Sequence, residues 1–273
     1  KMKGIQVNQT ITNGITALYA ACQMGRVAVV KVLIARKEIQ INQAKEGGQT
    51  PLYITCEHGH VDVVRLLLAS KEILINQAKK GGATPLFITC QYGHVDVMRL
   101  LLARKDILIN QARDGGATPL SITCSNGHVD VVRLLLARKE IQVNQATKDG
   151  FTPLYVTCEK GHAGVVRLLL ARKEIKINQA DESGTTPLWI TCSNGHMDVM
   201  RLLLARKDIQ VNQITKEGAT PLFITSQKGH VDVVRLLLAR KEIQINQAMN
   251  NGATPLIIAT YLGRFSTVQL LLS

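Results

Sequence analysis

Six cysteines and seven histidines are the residues of this sequence with the most chemistry to offer. A thiol can ligate a metal, attack a substrate or form a disulfide, and an imidazole can ligate a metal or move a proton. Cys22, Cys56, Cys90, Cys124, Cys158 and Cys192 stand 34 residues apart throughout. His60, His94, His128, His162, His196 and His230 keep the same interval, each directly after a glycine. Spacing of this regularity belongs to a repeat rather than to an active site. Equivalent residues of stacked helical units lie ~10 Å apart. A disulfide needs Cα atoms within about 7 Å, and tetrahedral zinc needs every ligand ~2.0–2.3 Å from one ion. Within a unit, Cys90 and His94 have helical spacing, but Gly93 breaks the helix between them and the pair supplies two ligands at most. Structural cysteines are therefore expected, with no metal and no cofactor. Ser226 and Thr260 fill the cysteine slot in the last two units, as suits a small packed residue. No carboxylate pair, nucleophile–base set or phosphate loop stands apart from the repeat, so no enzymatic activity is expected.

The rest of the composition agrees. Of the 273 residues, 46% are hydrophobic and 19% charged, enough for a core and unlike a disordered chain, while only 4% are aromatic, so the core must be aliphatic. No apolar run approaches the ~20 residues of a membrane span. Lys1-Met2-Lys3-Gly4 is not followed by an apolar stretch, so no leader peptide is expected. Thiols without disulfides fit a reducing compartment, and an intracellular, cytoplasmic protein is expected.

The repeat explains how these residues are positioned. Thr16, Thr50, Thr84, Thr118, Thr152, Thr186, Thr220 and Thr254 recur every 34 residues, and residues 45–78 and 79–112 are identical at 26 of 34 positions. The spacing predicts eight units filling a single domain over 1–273: 11–44, 45–78, 79–112, 113–146, 147–180, 181–214, 215–248 and a shorter 249–273. In unit 79–112, Thr84-Pro85 starts a helix, because threonine caps free N–H groups and proline at the first helical position has none to orphan. The helix runs from Pro85 to Tyr92, and Gly93 ends it in a left-handed conformation. A second helix is predicted near Val95–Arg104, with Val97, Met98, Leu101 and Leu102 on its apolar side. Ile107–Asn110 is extended, and Gly115-Gly116 make a turn before the next unit. None of these units buries its apolar face alone, whereas stacked neighbours do.

The residues TPL, GH, V-V-R-LLL and the closing I-x-I-N resemble the ankyrin repeat, along the whole chain and in register. The resemblance implies an all-α solenoid of stacked helix-turn-helix units with projecting hairpin loops. It further implies that the histidines hydrogen-bond loop backbone, and that the first helices and hairpin tips line a concave groove used for protein binding. Four features depart from the family. The period is 34, against a usual ~33, and the extra residue falls near Arg-Lys-Glu, where the family has a glycine. The family's histidine after Thr-Pro-Leu is replaced by Tyr19, Tyr53, Phe87, Ser121, Tyr155, Trp189, Phe223 and Ile257, and its Ala-Ala pair has become Thr-Cys.

The formal charge of +13 raises the question of acidic partners. Asp and Arg three apart on the second helix cancel, as in Asp130 and Arg133, while each Arg-Lys-acid triplet, such as 104–106, leaves one positive charge per unit. The excess is spread along the array, as a solvated face would be, and nucleic acid is the less favoured partner.

Comparing the units with one another shows where they differ: the pair before the turn glycine, the residue before Thr-Pro, and the turn itself. Phe151, Tyr155 and Glu159 share one face of a helix, as do Thr185, Trp189 and Ser193. The partner-binding residues are therefore expected to be Phe87, Tyr92, Phe151, Tyr155, Glu159, Lys160, Trp189, Phe223 and Lys228. Aromatics are typical binding anchors. The other reading of the aromatic row is that it fills the space left by the family's histidine. The expected function is a protein-binding scaffold. The alternatives are a spring-like spacer and a basic rim for an acidic or nucleic-acid partner. The apolar last unit, with Leu270-Leu271-Leu272, suggests a segment of a longer array.

Overall fold

The computed structural model describes residues 5–273; Lys1 and Lys3, two of the positive charges, and the Lys1–Gly4 stretch lie outside the described residues. Helices come in pairs: α1 (Ala17–Gln23) with α2 (Val27–Ile34), α3 (Pro51–His58) with α4 (Val61–Leu68), α5 (Pro85–Tyr92) with α6 (Val95–Leu102), and α7 (Pro119–Ser125) with α8 (Val129–Leu136). The pairs continue as α9 (Pro153–Lys160) with α10 (Ala163–Leu170), α11 (Pro187–Asn194) with α12 (Met197–Leu204), α13 (Pro221–Lys228) with α14 (Val231–Leu238), and α15 (Pro255–Tyr261) with α16 (Phe265–Leu272). Among the described residues there is no β-strand beyond an isolated bridge between Thr10 and Thr16. None of the helices is long and apolar enough to cross a membrane.

The chain divides into two compact units. The first holds the residues up to Thr123 with His128–Gln142, and the second holds Cys124–Gly127 with Val143–Ser273. In the first, α1, α3 and α5 pack in sequence, as do α2, α4, α6 and α8. In the second, α9, α11, α13 and α15 form one layer and α10, α12, α14 and α16 the other.

Helix boundaries follow from local chemistry. The Thr84 side chain accepts a hydrogen bond from the Phe87 amide at 3.1 Å, Pro85 opens α5, and Gly93 at φ 74° closes it. The second helix of this unit stops at Leu102, two residues before the predicted end. Ala103 caps it, and Arg104 takes the place of the family's glycine: its Nη1 donates to the Leu68 carbonyl at the end of α4, at 2.9 Å.

Helices of eight residues are too short to persist alone, so the ties between units hold them. His94 Nε2 bonds the Glu57 carbonyl of the preceding unit at 3.0 Å, which requires Nε2 to carry the proton. Arg264 takes over in the last unit, reaching the Gln227 carbonyl at 3.1 Å. Asn76 donates to the Asp106 carbonyl at 2.7 Å and accepts from the Leu108 amide at 2.9 Å, so one side chain pins the loop after the next unit's second helix. That loop is not extended through Asn110 as expected: the Gln111 amide bonds the Leu108 carbonyl at 3.2 Å and folds 108–111 into a turn. Hairpin backbones join directly, as Lys80 N–H to the Gly47 carbonyl at 2.8 Å.

The exchange of Ala-Ala for Thr-Cys has a structural reason. Thr89 Oγ1 donates to the Pro85 carbonyl at 2.8 Å and lies in hydrogen-bonding contact with the Cys56 thiol of the preceding unit. Thr55 meets Cys22, Thr123 meets Cys90, Thr191 meets Cys158 and Thr225 meets Cys192 in the same way. Burial pushes these thiols up to about 12, with the threonine contact pulling weakly the other way. They are thus protonated at neutral pH and poor nucleophiles or ligands. Ser226 occupies the cysteine slot, but the next unit has Ala259 where threonine would be, and the buried Ser226 hydroxyl has no partner among the described residues. Ser226→Ala is expected to raise stability by about 1 kcal/mol, by removing a buried unpaired hydroxyl; equilibrium urea unfolding followed by circular dichroism measures it. A loss of stability would mean that the hydroxyl has a partner after all.

Candidate functional site

The face where the units differ is built from the first helices and the hairpin tips. In the first unit of the chain, Phe87 is only 1% exposed and the Arg113 guanidinium lies 5.5 Å from its ring centroid. Lys79 covers Tyr53 and Lys45 covers Tyr19 in the same manner, at 5.8 and 5.5 Å. Each ring is thus lidded by a cation from the following hairpin, an arrangement that attracts through the ring quadrupole. Tyr92, by contrast, is 49% exposed and stacks on His94, with centroids 6.0 Å apart.

The second unit of the chain differs. Phe151 is half-buried and stacks on Tyr155, with centroids 4.9 Å apart and planes at 20°. Tyr155 is 6% exposed, and its hydroxyl bonds Asp181, an acid where the first unit has cations. Burial raises the Tyr155 hydroxyl well above its ordinary value, and the carboxylates of Asp181 and Glu159 add to this. Glu159 and Lys160 pair with each other at 3.3 Å. The Glu159 backbone carbonyl also accepts from His196 and Asn194. Phe223 is buried, Lys228 is exposed at the end of α13, and Trp189 is half-buried with its Nε1–H enclosed and without a partner among the described residues.

Of the nine expected residues, then, Phe87, Tyr155 and Phe223 lie beneath the surface. All three occupy the slot after Thr-Pro-Leu. Phe151, Trp189, Tyr92, Lys160 and Lys228 reach solvent, and Glu159 does so in part.

Beside Trp189 the second unit opens a cleft of about 400 Å³. Phe223, Ile224, Ala219, Met249 and Ile258 line it with apolar side chains, Glu217, Gln227 and Asn251 with polar ones, and the buried Thr215 adds a hydroxyl. The site reading by helix spacing missed Thr215, Glu217, Met249 and Asn251. They stand on hairpins of later units, and the only signal in the sequence was that these turns vary. A concavity lined by apolar side chains and a few polar groups suits one anchoring side chain of a ligand, with hydrogen bonds around it.

Elsewhere the arginines of the Arg-Lys-acid triplets are paired. Arg104 pairs with Asp106 at 2.9 Å, Arg138 with Glu140 at 2.8 Å and Arg206 with Asp208 at 2.8 Å. The Arg104 guanidinium holds the Asp106 carboxyl below its usual range, as Arg206 does for Asp208. The lysine between each such pair is exposed. Of the Asp/Arg pairs three apart on the second helices, Asp96 and Arg99 close to an ion pair, at 3.4 Å.

The family model for ankyrin repeats (3 copies) matches residues 2–79, 70–147, 138–215 and 207–273. A search among curated proteins found no match. Paired helices of seven or eight residues, most of the first ones with a Thr-Pro start and a glycine stop, accompany that match along the chain, which belongs to the ankyrin-repeat family.

Proposed function

We propose that the chain is a non-enzymatic scaffold that holds a protein partner on the face made by its first helices and hairpin tips. Ankyrin repeats are generally protein–protein interaction modules, and the family is typically non-enzymatic. The observation that carries the finer reading is the cleft beside Trp189, which sits on the face where unit-to-unit variation concentrates. Repeat-invariant residues cannot tell one unit from another, so specificity must come from the variable ones. Trp189 supplies a large, partly open ring, Phe151 a second, and Lys160 and Lys228 flank them.

The test begins with a pull-down from the source cell, with Trp189→Ala as the control bait. Calorimetry then measures the captured partner against each variant, with circular dichroism to show that the helices persist. Trp189→Ala is expected to weaken binding at least ~30-fold, about 2 kcal/mol, as for an interface anchor. Arg133→Ala, on an exposed helix face, should change it by less than ~3-fold in physiological salt. The reverse order would assign function to the basic face and refute the reading.

A further inference from the structure

Unit 45–78 lacks a residue that at least four other units use in the same way. At the end of the second helix, Arg104, Arg138, Arg206 and Arg240 each do two things. Each donates Nη1 to the last helical carbonyl of the preceding unit, at Leu68, Leu102, Leu170 and Leu204. Each also forms an ion pair at 2.8–2.9 Å with the acid two residues on. In unit 45–78 the same slot holds Ser70. Among the described residues no guanidinium reaches the Ile34 carbonyl at the end of α2, and the Glu72 carboxylate has no ion pair. A cleft of about 440 Å³ lies there, lined by Ile34, Leu66, Ser70 and Glu72.

We propose that this notch docks an arginine side chain of a partner protein, supplying in trans the guanidinium that the other units carry themselves. The groups left over are those a guanidinium satisfies: a helix C-terminal carbonyl, which attracts cations, and a carboxylate two residues beyond the gap. Ile39 and Ile41 also line the cleft and would cover the apolar stem of the incoming side chain. Arg36, Lys37 and Lys71 stand at the rim as well. Arg36 is already held by Glu38 at 3.0 Å and does not serve. These cations do not bar the site. Arg138 reaches the Leu102 carbonyl although the sequence positions equivalent to these three are likewise cations, Arg104, Lys105 and Lys139, so the array accommodates a guanidinium in such a slot. A lysine fits less well, because its ammonium cannot meet a carbonyl and a carboxylate with the planar fork of a guanidinium.

The experiment titrates the full chain, labelled with 15N at alanine and serine, with Nα-acetyl-arginine amide and follows amide shifts. Saturable shifts at Ala35, Ala69 and Ser70 are expected at millimolar ligand, with Nα-acetyl-lysine amide at least ~5-fold weaker. Ser70→Arg fills the notch with the side chain its neighbours carry and should abolish the shifts at Ala35 and Ala69. Glu72→Gln keeps the serine and should weaken binding ~10-fold. Circular dichroism confirms that both variants fold. Absence of saturable shifts, or their persistence in Ser70→Arg, would overturn the proposal. Stronger shifts of the same amides with inorganic phosphate would also do so, assigning the notch to an anion.

Discussion

Gly93→Ala is expected to destabilise the array by about 3 kcal/mol or more, far beyond an ordinary glycine replacement. Two costs coincide at this position. The backbone sits at φ 74°, where any residue with a Cβ is strained by ~1–2 kcal/mol. The added Cβ would also stand 2.6 Å from Nδ1 of His128, whose ring is itself tied to the Gln91 carbonyl at 3.0 Å and so is not free to swing away. Gly115 separates the two. It has φ 87° but open space where its Cβ would go, so Gly115→Ala should cost the conformational part alone, about 1–2 kcal/mol. Made in a His128→Ala background, Gly93→Ala should fall to the same value. Urea unfolding of the four proteins measures this, with the difference between backgrounds giving the coupling. Equal costs for Gly93→Ala and Gly115→Ala would show that the ring is no obstacle.

Leu101→Ala should lose about 3–5 kcal/mol, at the upper end for a leucine truncation. Leu101 is 0% exposed in α6, and its cavity would be bordered by helices already fixed by backbone and side-chain ties on both sides, so collapse around it is restricted. Leu271 occupies the same slot in α16 but is only half-buried. There the same truncation should cost about 1 kcal/mol, since only part of the apolar area is removed from water. Denaturant midpoints of the two variants give the comparison. Similar losses at both positions would mean that stability comes from each helix pair by itself rather than from the stack.

Much of the architecture was legible in the sequence because its causes are local. A threonine that caps the amide three residues on, a proline with no N–H and a glycine at positive φ act within one helical turn, so Thr84-Pro85 and Gly93 mark α5 correctly without knowledge of any neighbour. The 34-residue period then implies stacking, since none of these short helix pairs can bury its own apolar side.

What the tertiary structure alone decided concerns residues whose partners belong to another unit. Phe87 and Trp189 occupy the same slot after Thr-Pro-Leu, yet Arg113 lids the first while Thr215 leaves the second beside a cleft. The outcome depends on the next hairpin, which no pattern within the unit encodes. Beyond the end of the second helix at Leu102, Arg104 finds a carbonyl of the preceding unit. For the same reason, the one serine in that row alters the surroundings of Ile34, a full unit earlier in the chain. Burial and hydrogen-bond completion are properties of pairs of units in contact, and a repeat sequence displays each unit without showing what covers it.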